Sequence, residues 1–142
     1  ADAIMAGLHA MIPRAHVYFL VDTLEYLQKG GRIGGAAALI GSVLQVKPIL
    51  ELRAGRVEPL ERERTQRKAL IRLKELVLER APRGPESYLS VLHAGAPEAA
   101  QALATDLGQQ LGVADVMVMD LTPAIVTHAG PGVLGVGFFA ES

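Results

Sequence analysis

Thirteen residues near the start of the chain, Val21 to Ile33 (VDTLEYLQKGGRI), leave few ways for it to fold. A β-branched strand end runs into a short helical stretch, and that stretch stops at two consecutive glycines. Glycine adopts the left-handed conformation that ends helices at little steric cost. Arg32 then stands beside glycine amides, and a guanidinium next to bare backbone N–H groups can bind a carboxylate or a phosphate. A second glycine-rich turn, Thr127-His128-Ala129-Gly130-Pro131-Gly132, lies near the other end of the chain. Two such turns in one small domain predict a ligand site with a polar mouth.

Hydrophobic spacing organises the remainder. Ile4, Met5, Leu8, Met11 and Ile12 recur at helical intervals up to Pro13, and the run from His16 to Val21 has strand composition. Asp22 or Thr23 is placed to cap the helix that ends at Gly30-Gly31, with Glu25 as a capping-box acid. A further helix is expected from Ala36 to Gln45, with Gly41 marking close packing. Val46 to Leu52 and Arg56 to Leu60 predict a hairpin around Ala54-Gly55, and Pro59 points to an edge position or a strand end. Thr65 caps a predicted helix running to about Glu79, with Leu70, Leu73, Leu76 and Val77 inward. After the Pro82-Arg83-Gly84-Pro85 loop, a strand from Tyr88 to His93 is expected. A helix over Pro97 to Leu111 and strands over Asp115 to Asp120 and Val133 to Phe139 complete the pattern. Alternating strands and helices imply an α/β fold, a mixed β-sheet of about six strands with helices packed on it.

Composition removes several classes of function. The 142 residues suffice for one compact domain. Cysteine is absent, which excludes disulfides and thiolate metal sites and agrees with a cytoplasmic chain. A net charge of −1 argues against tracking many phosphates of a nucleic acid, and no aromatic residues interleave with Arg62, Arg67 and Lys68. No apolar run is long enough to span a bilayer, so the chain is expected to be soluble, without membrane insertion. His9, His16 and His93 show no metal spacing and are assigned structural or surface positions. The chain enters a helical pattern directly after Ala1 and is expected to be part of a longer protein.

The run VDTLEYLQKGGRIGGAAALIGSVLQVKPIL, from Val21 to Leu50, resembles the DegV family of fatty-acid-binding proteins. GRVEPLERERTQRKAL resembles the family's next block, and THAGPGVLGVGFF, from Thr127 to Phe139, its closing block. The resemblance implies that residues 1–142 form the C-terminal domain of a two-domain DegV-like protein whose N-terminal domain is absent from this chain. It implies a lipid-binding carrier, not an enzyme. Such a bacterial carrier holds a long-chain fatty acid between its domains and presents the carboxylate to a fatty acid kinase. The kinase forms acyl-phosphate for phospholipid synthesis. The ligand would be the fatty acid, with no cofactor, metal or catalytic residue. After GGRI, where many relatives carry serine or lysine, Gly34-Gly35 follows here.

Candidate site residues carry two readings each. Arg32 is an anion anchor for the fatty-acid carboxylate, or a salt-bridge or helix C-terminal partner. Gly31 exposes an amide to the ligand, or simply stops a helix. His128 donates a hydrogen bond to the head group, or is a solvated loop imidazole. Thr127 bonds the same head group or belongs to a strand. Leu39, Ile40, Val43, Ile125, Val126 and Phe138 line an acyl tunnel or fill the core. Arg64 and Arg67 face the kinase, or form a solvated basic run diluted by Glu61 and Glu63. Two other functions compete with the carrier. One is a hydrolase or acyl-transfer enzyme using His128 with Asp120 or Asp115; the other is a structural or regulatory interaction domain. No G-x-S-x-G elbow and no Walker lysine is present, and Ser42 and Ser90 sit outside nucleophile motifs.

Overall fold

The computed structural model describes residues 2–5, 14–22, 24–29, 31, 34–39, 47–53, 56–85, 87–121, 123, 130 and 132–140. Its frame is a six-stranded sheet of order β3-β2-β1-β6-β4-β5. The strands are β1 (Ala15–Leu20), β2 (Lys47–Arg53), β3 (Arg56–Glu63), β4 (Leu89–His93), β5 (Met117–Asp120) and β6 (Leu134–Phe139). Neighbouring pairs are antiparallel except β4 and β5, which run parallel. The sheet is therefore mixed, as the alternation of elements predicts. β3 is an edge strand and carries Pro59, whose missing N–H costs an edge little. The β2–β3 register slips between Ile49 and Leu50, which lets β3 run on to Glu63 beyond the predicted end at Leu60.

Strand periodicity sorts the side chains onto two faces. Tyr18, Leu20, Ile49, Leu89, Val91, Leu134, Val136 and Phe138 point to one face and join the larger core. Two long helices cover it. α2 (Gln66–Arg80) contributes Ala69, Leu73 and Val77, and α3 (Pro97–Leu111) contributes Ala100, Leu103, Leu107 and Leu111. Thr65 caps α2 as expected, its hydroxyl accepting from the Lys68 N–H at 3.1 Å. The other face gathers Phe19, Val21, Leu50, Val57 and Val133 in a smaller cluster with Leu27, Ala36 and Ala94. That face is reached by the short α1 (Glu25–Lys29) and a 3-10 helix at Gly34–Leu39.

Two local expectations change. α1 begins at Glu25, so Glu25 occupies the first helical position and not the third that a capping box needs. Of the helix expected over 36–45, the described part is a 3-10 helix that starts two residues earlier, at Gly34, and residues 40–45 lie outside the described residues. Glycines at 34 and 35 allow a tight approach to β3. His16 takes the structural of its two expected positions: its Nδ1 lies 3.1 Å from Glu51 Oε1, and its ring stacks on Phe138 at 5.4 Å between centroids.

Ion pairs fasten the helices to the frame. Arg72 on α2 grips Glu61 on β3 through two N–H···O bonds of 2.8 Å, and Lys74 meets Asp106 on α3 at 2.9 Å. The Arg72 hydrogen bonds hold the Glu61 carboxyl below the ordinary glutamate range, and the Lys74 bond does the same for Asp106. A carboxyl depressed in the folded state stabilises it above the unfolded pKa and loses that contribution as pH falls through the folded value. Unfolded Glu and Asp titrate near about 4.3 and 3.9. Urea midpoints are thus expected to stay level from neutral pH to about pH 5 and to fall below about pH 4, by a modest amount because both carboxylates are partly exposed. An Arg72→Ala, Lys74→Ala variant should show a shallower acid decline; an unaltered decline would assign it to other groups.

Candidate functional site

One rim of the sheet collects the ends of β1, β4 and β5 and the starts of β2 and β6. Leu20 pairs with Ile49 and Leu134, Leu134 pairs with His93, and His93 pairs with Asp120. The backbone carries the ladder past the strands. Ala94 N–H donates to Val133 O at 3.0 Å, and Gly132 N–H donates to Ala94 O at 2.9 Å. The second glycine turn is thereby bonded to the loop after β4, and Leu121 N–H donates to His93 O at 2.8 Å beside it.

The same turn packs against the stretch that leads into the first one. Gly130 and Gly132 both have positive φ, 91° and 83°. A Cβ on Gly130 would stand 2.6 Å from the Tyr26 ring, and one on Gly132 would stand 2.6 Å from the Asp22 carboxylate carbon. Only glycine admits both this backbone and this approach. Asp22 and Tyr26 belong to the VDTLEYLQKGGRI stretch. The second glycine turn, far away in sequence, therefore interlocks at one rim with the strand end and helix that lead into the first. Gly31 ends α1 with φ 71° and its N–H bonded to Gln28 O at 3.2 Å, and open space lies where its Cβ would be.

The predicted site residues are placed as follows. Gly31 is exposed, and Phe138 is buried in the larger core between His16 and Tyr18, on the face covered by α2 and α3. Leu39 ends the 3-10 helix. Arg64 and Arg67 are exposed where β3 hands over to α2, at the rim that also bears the glycine turns. Arg32, Ile40, Val43, Ile125, Val126, Thr127 and His128 lie outside the described residues. In the chain, Arg32 directly follows Gly31 and His128 precedes Gly130 by two positions.

Comparison with known proteins bears on the same turns. The DegV family model matches residues 1–141. The chain belongs to the DegV family. A DegV domain-containing protein of Streptomyces coelicolor is 51% identical over 120 residues, covering 84% of this chain and 42% of its own length. The crystal structure of a fatty acid binding DegV family protein from Streptococcus agalactiae superposes with a TM-score of 0.86 at 30% identity, covering 99% of this chain and 50% of that one. A Thermus thermophilus DegV family protein, described by its fatty acid binding, gives 0.83 at 35% identity, with coverages of 98% and 50%. The chain spans about half the length of these relatives.

Within the DegV sheet, glycine also shapes β6. Gly135 and Gly137 face away from the helices, where a Cβ would lie 2.9 Å from Phe19 Cβ and 3.0 Å from Ser90 Oγ respectively. The alternation GVGFF signals this, because a strand with glycine at every second place presents one nearly flat side. The partnership of Asp22 and Tyr26 with the second turn leaves no comparable trace in sequence. At the rim, His93 is buried and its Nδ1 accepts the Ala96 N–H at 3.1 Å ahead of α3, which fixes the neutral ring's proton on Nε2. Asp120, 3.9 Å from that nitrogen, is beyond hydrogen-bond range and exposed.

For the acyl-transfer alternative, His128 lies outside the described residues, and the remaining named groups are placed as follows. Ser90 is buried on β4. Asp115 precedes β5 at the opposite end of the sheet from Asp120, so only Asp120 shares a rim with the glycine turns. Among the described residues no group of three or more His, Asp or Glu could hold a metal ion, and no helix is long and apolar enough to cross a membrane.

Proposed function

We propose that this chain is the C-terminal half of a carrier that holds one long-chain fatty acid. The interlock of the second glycine turn with the approach to the first carries this reading. It sets Gly130 and Gly132 against Tyr26 and Asp22 at a single rim, and solved DegV relatives at 30–35% identity are described as fatty acid binding. Arg32 and His128 steer the carboxylate, with Thr127 beside them; the Gly31 N–H is taken by Gln28 O, which favours its reading as a helix stop. Leu39, Ile40, Val43, Ile125 and Val126 shelter the tail. Burying a methylene is worth about 0.8 kcal/mol, so a sixteen-carbon tail gains on the order of 10 kcal/mol before entropy losses. A charged head group contributes less, because desolvation cancels much of its attraction. The tail therefore sets affinity and the rim sets orientation. Exposed Arg64 and Arg67, at that rim, face a fatty acid kinase that phosphorylates the presented carboxylate.

Lipid extracted from the natural-length protein purified under native conditions tests the reading. A stoichiometric long-chain fatty acid is expected, and Arg32→Ala should weaken its binding by about tenfold, the scale of one charge-assisted hydrogen bond, with the circular dichroism unchanged. Repeated purification without bound lipid, or equal affinity in the variant, rejects the carrier or its anchor respectively.

A further inference from the structure

At the rim opposite the glycine turns, the two long helices end side by side and the loop between α2 and β4 ties them together. Ala81 N–H takes Val77 O at 2.8 Å, and Gly84 N–H takes Leu111 O at 2.8 Å. Main-chain donors thus already serve carbonyls in the last turn of each helix. Yet this junction also holds several arginines. A cavity of about 510 Å³ opens there, lined by Glu79, Arg80, Pro82, Arg83 and Ala140 among others. Ala140 is bonded in turn to Arg14, whose Nε–H donates to Ala140 O at 2.6 Å while Ala140 N–H donates to Arg14 O at 2.8 Å.

The guanidiniums here are held by neutral acceptors. Arg83 donates to Gln110 O at 2.7 Å, Arg80 lies 3.3 Å from His16 Nε2, and Arg14 donates to Ala140 O. Among the described residues none of the three meets a carboxylate. Arg72, on the same helix as Arg80, shows the alternative: it takes Glu61, Glu75 and Glu79. Glu79, the acid in the lining, is thus turned toward Arg72, at 3.6 Å. Helix C-termini attract cations, which accounts for Arg80 and Arg83 singly. It does not account for Arg14, which belongs to neither helix. An arginine anchored by one N–H keeps its charge and its remaining donors, and its planar fork suits a phosphate's several oxygens.

We infer that Arg80 and Arg83, with Arg14 beside them, form a phosphate-binding site at this rim, remote from the fatty-acid mouth and independent of it. The group recognised is a phosphate, carried free in solution or on an acidic phospholipid headgroup. The test uses natural-length protein and two probes. One is inorganic phosphate, followed by the side-chain NMR signals of the arginines. The other is sedimentation with phosphatidylglycerol-containing vesicles, against vesicles of phosphatidylcholine alone. Arg80→Gln with Arg83→Gln should lower binding at least about tenfold, and Arg62→Gln with Lys68→Gln, exposed at the far rim, should leave it within about twofold. Saturable phosphate shifts without sedimentation identify a free phosphate; sedimentation that the first pair abolishes identifies a headgroup. Should the glutamine pair fail to fold, lysines at 80 and 83 keep the charge and lose the fork, and affinity should still drop about fivefold. Absence of binding in both arms, or binding lost in the far-rim pair and kept in the junction pair, overturns the site.

Discussion

Gly34→Ala is expected to lower the unfolding free energy of the domain by about 2–4 kcal/mol, the sum of a strained backbone and a steric clash. Gly34 has φ 50°, which an L-residue adopts only at a cost of about 1–2 kcal/mol. A Cβ there would also overlap the Val57 carbonyl oxygen and stand 3.1 Å from the Val57 nitrogen. Both atoms are backbone of β3, which is held in register by β2, so the obstruction cannot rotate aside. Gly31→Ala is the matched control. Its φ is 71°, but its Cβ would meet nothing within 4 Å, so it should show strain alone, about 1 kcal/mol. Urea denaturation of both variants separates the terms. Equal losses would mean that the 3-10 helix does not lie on β3 as described.

Gly132→Ala is expected to reduce fatty-acid affinity of the natural-length protein by about 10–100-fold, because a binding group displaced by a fraction of an ångström loses most of its hydrogen bond. The new Cβ would fall on the Asp22 carboxylate. The exposed Asp22 carboxylate can swing only part of the way, and φ 83° strains any residue with a Cβ while Gly132 N–H is bonded to Ala94 O, so the strain passes into the turn itself. Asp22→Ala placed in the same chain removes the obstacle and should recover part of the affinity, a non-additive response that a general loss of stability would not give. Unchanged affinity in a folded Gly132→Ala protein would show that the junction of the turns is not the mouth of the site.

The main elements were legible in sequence where one local rule decided them. Thr65 before an apolar helical stripe and Pro97 at a helix start each have a single physical meaning, and the structure realises both; of the two readings of Pro59 it takes the edge strand. The 3-10 helix at Gly34–Leu39 was not legible, since apolar spacing over 36–45 suits an α-helix and the deciding term is the approach of Gly34 to β3. For His16 sequence left structural and surface positions both open, for a related reason: its environment is built by Glu51 and Phe138, which local sequence cannot bring to it. Phe138 illustrates how strand parity sorts the two faces of the sheet. It shares parity with Leu134 and Val136 and lies under the helices, whereas the other parity of β6 is glycine. The glycine turns were readable as turns; that Tyr26 and Asp22, ahead of the first, meet the second was not.

The position of β6 has a consequence for how this protein is made. It is the last of the six described strands in sequence yet sits between β1 and β4, in the interior of the sheet. A nascent chain emerging from the ribosome can zip β1, β2 and β3 together early, and β4 with β5 later, but these two pieces stay unjoined until Leu134–Phe139 has emerged. Each meanwhile offers a bare flank to the cell, a hazard typical of assemblies whose pairings span the whole chain.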